Sequence, residues 1–279
     1  MFVFTHGEEP NQTVDYRYIG NQPKNYVKFN CDNDGTNCEI WRILGVFDVD
    51  DGTGNVELRM KLVRGNAFAT TSPFNSSNKN DWTISPLNTF LNGDYYNRSR
   101  DAETYGLKES ARSMIDDALY YLGAVPWVNV NNNWGNIEKI YNEERGTTLC
   151  GDCNSDITKL TWTGKVALMY PSDAYMVYAK GVDDNFYNNP HRYSDSLNAV
   201  KGWVYSSNIR EGQTSKDKIA LLSSSAGYSI YRLISSNEGC LDTAESNLSV
   251  AVRPVIYLST DVKIDSGTGT QLDPYVLKN

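Results

Sequence analysis

Glu39-Ile40-Trp41-Arg42-Ile43-Leu44-Gly45-Val46-Phe47, followed by Asp50-Asp51-Gly52-Thr53-Gly54-Asn55 and then Val56-Glu57-Leu58-Arg59-Met60-Lys61-Leu62-Val63, decides the class of fold. The first run is aromatic and β-branched, the composition of a buried strand. Asp-Gly and Gly-Asn supply the positive φ angles that a tight hairpin turn needs. The third run alternates, so it is expected to pair antiparallel with the Trp41 strand. Upstream, Tyr26-Val27-Lys28-Phe29 predicts a short strand, and residues 1–25, polar and bearing Pro, Asn and Gln, predict an irregular lead-in. Downstream, Ser85-Pro86 is an N-cap with proline at the first helical position, opening a helix through Leu87, Phe90 and Leu91. A second helix is expected from Leu107, Ala111, Met114, Ile115, Ala118, Leu119 and Leu122, closed by Gly123 as a C′ glycine.

The rest of the chain predicts more strands. They fall at Trp162–Tyr170, Trp203–Ser206, Ile219–Leu222, Tyr228–Ile234 and Val250–Leu258, with a long Asp/Asn/Tyr-rich loop over 180–200. Helices grouped early and strands around them make an α+β class rather than an alternating βαβ one. The expected domain is single, residues 26–279, after the lead-in.

The 279 residues include 40% hydrophobic and 22% charged, with 12% aromatic, and tyrosine dominates at 19. Tyrosine buries a ring while keeping a wet hydroxyl, which suits surfaces that bind. A net charge of −8 argues against a nucleic-acid partner, which needs a basic face. No run approaches the ~18–20 apolar residues of a membrane span. MFVFTHGEEP has neither the charged start nor the apolar length of a signal peptide.

Cys31 and Cys38 bracket a turn-rich DNDGTN loop and are expected to bridge. Cys150-Gly151-Asp152-Cys153 is open to two readings, a redox or half-zinc pair and a local disulfide staple. The staple is preferred: His6 and His191, the only histidines, lack ligand-spaced neighbours, and no thioredoxin-like context surrounds the pair. Two staples would place the chain in an oxidising compartment, extracellular or on a cell surface. Cys240 is then left over.

Catalytic signatures are thin. There is no Gly-x-Ser-x-Gly elbow, phosphate-loop glycines are missing, and adjacent acids such as Asp116-Asp117 read as solvated faces. Asp48, Asp50, Asp51 and Asn55 could hold calcium, which wants several oxygens on a tight loop, but hairpin-turn chemistry explains the same residues. No other cofactor is expected.

Several fragments together resemble known proteins: Tyr26-Val27-Lys28-Phe29 with Trp41-Arg42-Ile43-Leu44-Gly45-Val46-Phe47, Asn80-Asp81-Trp82 with Leu91-Asn92-Gly93-Asp94-Tyr95-Tyr96, Trp162 to Asp173 (WTGKVALMYPSD), and Val252-Arg253-Pro254-Val255-Ile256-Tyr257-Leu258 with Gly267-Thr268-Gly269-Thr270 and Asp273-Pro274-Tyr275. Their order resembles a group of exported, often pilin-like proteins of gut Gram-positive bacteria. The Arg-Pro-Val strand resembles the last strand of C-type-lectin-like folds of the formylglycine-generating-enzyme type, which include the variable proteins of diversity-generating retroelements. The resemblance implies a C-type-lectin-like fold, mixed antiparallel strands with two helices and long irregular loops. It lacks the calcium motif of animal lectins, the copper-binding cysteine pair of the oxidase branch and a pilin's apolar N-terminal helix.

With that fold, the Tyr/Asn/Ser-rich second half becomes a display surface. Tyr175, Tyr178, Phe186, Tyr187, Tyr193, Tyr205, Tyr228 and Tyr231 are the expected contacts for a protein or glycan ligand. Trp203 belongs there too, or to the core. The expected function is a non-enzymatic binding or adhesion domain. The alternatives are a self-assembling subunit of a pilus or surface filament and an oxidase-like enzyme.

Overall fold

The computed structural model describes residues 1–6, 12–77, 79–123, 137–146, 157–177, 202–206, 209–214, 217–224, 229–233 and 241–279. The N-terminal stretch is not irregular: Phe2–His6 (β1) and Thr13–Arg17 (β2) pair antiparallel. Polarity misled the sequence reading, because His6, Asp15 and Arg17 turn inward and are buried as a charged set. Next come Tyr26–Phe29 (β3), the long Glu39–Asp50 (β4) and Val56–Arg64 (β5). One edge of β4 is shared, its first residues pairing with β3 and its middle with β2 through Tyr16↔Val46 and Arg17↔Gly45. Only glycine fits there, since a Cβ on Gly45 would sit 2.2 Å from the Tyr16 carbonyl oxygen.

The hairpin between β4 and β5 forms as its sequence predicts, from Trp41↔Arg64 to Asp50↔Val56. Its turn is built by its own acids. Asp50 Oδ1 accepts from the amides of Gly52 and Gly54 (2.7 and 3.0 Å), and Asp51 Oδ1 from the amide of Thr53 (2.7 Å). The alternation along β5 is inverted in part: Val56 and Leu58 face outward while Arg59 and Lys61 are buried.

After Thr71–Pro73 (β6), the helix Pro86–Phe90 (α1) starts where expected, with Ser85 Oγ accepting from the amides of Leu87 (3.1 Å) and Asn88 (3.4 Å). The second expected helix does not form. Glu109–Arg112 (α2) is a single turn, and Ala118–Tyr121 (β7) is a strand paired with Thr161–Gly164 (β8). The apolar positions satisfied both periods: Ala118, Tyr120 and Leu122 are buried and Leu119 and Tyr121 only half-buried, the two-residue beat of a strand. Gly123 is not a helix cap. Its amide donates to the Glu144 carbonyl (3.0 Å), and a Cβ would meet the Glu143 carbonyl oxygen at 2.3 Å.

Ile137–Glu144 (α3), Val166–Ala167 (β9), Pro171–Tyr175 (α4) and Trp203–Ser206 (α5) follow. The last is helical where a strand is expected. Then come Ile219–Ser224 (β10), Ser229–Leu233 (β11), Leu241–Glu245 (β12), Ser249–Ala251 (β13), Val255–Tyr257 (β14), Lys263–Ser266 (β15) and Tyr275–Lys278 (β16). Nine strands form one sheet, ordered β15-β16-β3-β4-β5-β14-β9 with β2 and β1 branching from β4. A second sheet runs β12-β11-β10-β13-β6, and β7-β8 stand apart. Two pairings, β16 with β3 and β10 with β13, are parallel, so the sheets are mixed rather than wholly antiparallel.

The fold is therefore α+β, dominated by strands; its described α-helices are four to eight residues each, α1 running on directly into a π-helical stretch at Leu91–Tyr95. Its core is led by Val27, Trp41, Ile43, Leu62, Val63, Val166, Val255 and Ile256, all essentially inaccessible. Each such aliphatic contributes roughly 1.5–3 kcal/mol by leaving water. None of the described helices is long and apolar enough to cross a membrane.

Candidate functional site

Most of the expected ligand contacts lie outside the described residues: Tyr178, Phe186, Tyr187, Tyr193 and Tyr228, as do Cys150 and Cys153. The structure places the backbone of three others, Tyr175 ending α4, Tyr205 within α5 and Tyr231 in β11. Trp203 is core: it is inaccessible, and its Nε1 donates to the Tyr18 carbonyl at 2.8 Å. Cys31 and Cys38 form a disulfide. Of the calcium candidates, Asp50 and Asp51 spend carboxylate oxygens on their own turn, and the Asn55 carbonyl accepts from the Asp51 amide (3.1 Å). Among the described residues no three His, Cys, Asp or Glu side chains converge on a metal position.

What the fold does bring together is a set of charges from distant parts of the chain. Pro171 starts α4, and Asp173 reaches back to accept from the Tyr170 amide at 3.1 Å. The same carboxylate takes Arg17 Nη1 on Oδ1 at 2.9 Å and Lys61 Nζ on Oδ2 at 2.5 Å, with all three side chains buried. Arg17 Nη2 also meets Asp15 Oδ2 at 2.7 Å. His6 closes the chain of contacts, with Nε2 3.1 Å from Asp15 and Nδ1 2.8 Å from Glu138 on α3.

Burial alone would push Asp173 and Asp15 up. The cations outweigh it, Lys61 and Arg17 for the first and Arg17 with His6 for the second, and hold both carboxyls below their ordinary range. Burial likewise opposes the His6 imidazolium, but the hydrogen bonds to Asp15 and Glu138 prevail and its pKa is raised. A second knot ties α3 to α4: Glu144 accepts from the Ser172 amide (2.8 Å) and Oγ (2.5 Å) and meets Arg145 Nη1 at 3.2 Å. Here burial wins over Arg145 and Ser172, and the Glu144 carboxyl is pushed up to about 7.

Above these charges lies a cleft of about 220 Å³. The β1–β2 hairpin gives it His6 and Thr13, the end of β4 gives Asp48 and Asp50, and α3 gives Tyr141 and Asn142, with Arg145 just past its end; Tyr121 and Tyr170 line it as well. Tyr141 is clamped on both faces, by the His6 ring at 3.7 Å and the Arg145 guanidinium at 3.5 Å. It therefore offers a ligand its edge and not a face. The arrangement presents hydroxyl, amide and carboxylate groups in fixed positions. Its cations and buried acids are paired with each other.

Sequence reasoning missed this cluster. Arg59 and Lys61 at alternate positions of a strand are a signal that polar groups face inward, but Arg59 turns to its neighbour Glu57 while the Lys61 partner, Asp173, lies too far along the chain to be matched. No family model, no curated protein and no solved structure matches the chain.

Proposed function

We propose that the chain is an exported, non-enzymatic binding domain with a C-type-lectin-like arrangement, displaying the Tyr-, Asn- and Ser-rich stretch between about 175 and 231 to a glycan or protein ligand. One observation carries the reading: α4, at the root of that stretch, is fixed by Asp173 to two buried cations on the main sheet. A binding surface made of long segments needs a rigid base, because every segment ordered on contact costs affinity. The cleft between the β1–β2 hairpin, β4 and α3 adds preformed polar groups beside that base. The Cys31–Cys38 disulfide is compatible with an oxidising compartment.

The test is an array of immobilised glycans and surface proteins probed with the purified chain. Saturable capture should weaken in Tyr187→Ala, Tyr193→Ala and Asn142→Ala while Tm stays within a degree or so of the parent, as for ordinary surface substitutions. Loss of Tm in step with loss of capture would return those residues to the core and overturn the reading. Concentration-dependent self-assembly without capture would identify a filament subunit instead.

A further inference from the structure

A second cleft, about 490 Å³, sits across the start of β4, the end of β5 and the Gly65–Asn66 turn, and shares no lining residue with the first. Arg42 lines it and is 3% exposed. Its guanidinium is stacked on the Tyr26 ring at 3.6 Å and on the Trp203 ring at 4.6 Å. Nε donates to Asn25 Oδ1 at 2.7 Å, and among the described residues Nη2, which is buried, has no hydrogen-bond partner. Among the described residues no carboxylate reaches Arg42. The two nearby acids are committed elsewhere, since Glu39 and Glu211 both pair with Arg64 (3.1 and 2.8 Å) and Glu39 also accepts from Trp41 Nε1 (2.9 Å).

A buried cation without a counter-ion is costly, and chains rarely keep one without use. Burial pulls the Arg42 guanidinium down to about 10, still charged at neutral pH. The aromatic contacts supply part of the missing stabilisation and also fix the plane of the fork. We propose that this cleft binds a carboxylate-bearing small molecule of sugar-acid size, its acid group pairing with the Arg42 guanidinium where that side chain lines the cleft. A fork held in one plane matches a planar carboxylate. Glu39 and Glu211, which line the cleft paired with Arg64, favour a monoanion over a phosphate dianion, which they would repel more strongly. Exposed Asn66 and Gln271 at the rim offer hydrogen bonds to hydroxyl groups.

Galacturonate is the probe, with galactose as its neutral counterpart and inorganic phosphate as the competing anion. Calorimetry and tryptophan fluorescence, which Trp203 reports from its place on Arg42, should show saturable galacturonate binding that weakens with salt. Arg42→Lys, which loses both fork and stacking, should weaken it roughly tenfold or more. Because Arg42 is buried and that variant can lose stability, the rim supplies a second measurement: Asn66→Asp should weaken binding and Asn66→Lys strengthen it, both with unchanged Tm. No saturable binding, equal binding of galactose, preference for phosphate, or indifference to both the Arg42 and Asn66 variants would each overturn the assignment.

Discussion

Raising the pH from 5 to 8 should destabilise this protein, and Glu144 sets the size of the effect. Its carboxyl is buried among Arg145, Ser172, Asp173 and Tyr170, and its pKa rises from 4.5 in the unfolded chain to about 7 in the fold. Between those values the folded state keeps a proton that the unfolded state has released. Stability therefore falls as pH rises through that window, by about 1.4 kcal/mol per unit at most and about 3 kcal/mol in all. His6 acts in the same direction. Its contribution is fully present below 6.5 and is lost as pH climbs through its raised folded value. Asp15 and Asp173, held low by their cations, contribute above the ordinary carboxylate range and lose that contribution only in acid, outside the window. For a chain of this size each kcal/mol corresponds to roughly 2–4 °C of Tm, so Tm should drop by roughly 6–12 °C between pH 5 and 8. Thermal melts at each pH unit, repeated on Glu144→Gln, measure it. Glutamine keeps the neutral shape, so the variant should melt near the parent at pH 5 and show a flatter profile above. A Tm that holds or rises toward pH 8, or an identical slope in Glu144→Gln, would refute the linkage.

Asp173→Ala leaves Lys61 without its carboxylate and Arg17 with Asp15 alone, and should cost about 3–5 kcal/mol, read as a lower urea midpoint at pH 6; a loss below about 1 kcal/mol would mean that water replaces the carboxylate. Tryptic mapping without reductant should recover the peptide 29–42, which holds both Cys31 and Cys38, about two mass units lighter than after reduction. Replacing both by serine should cost roughly 2–3 kcal/mol, the loop being short, and free thiols at both positions in freshly purified protein would contradict the bridge.

The readable parts of the fold share one property, that their signals are local. Asp50 to Asn55 contains all the groups that build its turn, and Ser85-Pro86 contains its own cap. The stretch 107–122 was misread because Ala118 and Leu122 fit a helical and a strand period equally well, and pairing with Thr161–Gly164 decided between them. Residues 2–17 were misread because their inward positions are charged, and hydrophobic patterning has no way to mark a buried ion pair. The candidate site was hidden for the same reason on a larger scale, since Arg17 and Asp173 are 156 positions apart.

Composition and short motifs alone thus determined an α+β chain rich in tyrosine, its central hairpin, its first helix cap and a disulfide-ready loop. These depend on torsional preferences and on contacts between near neighbours in the chain, which a sequence displays directly. Tertiary packing decided which charges are buried, that Asp173 joins β2, β5 and α4, and that no described carboxylate reaches Arg42. Those outcomes depend on desolvation and Coulomb attraction at a few ångströms, and such distances exist only once remote segments have folded together.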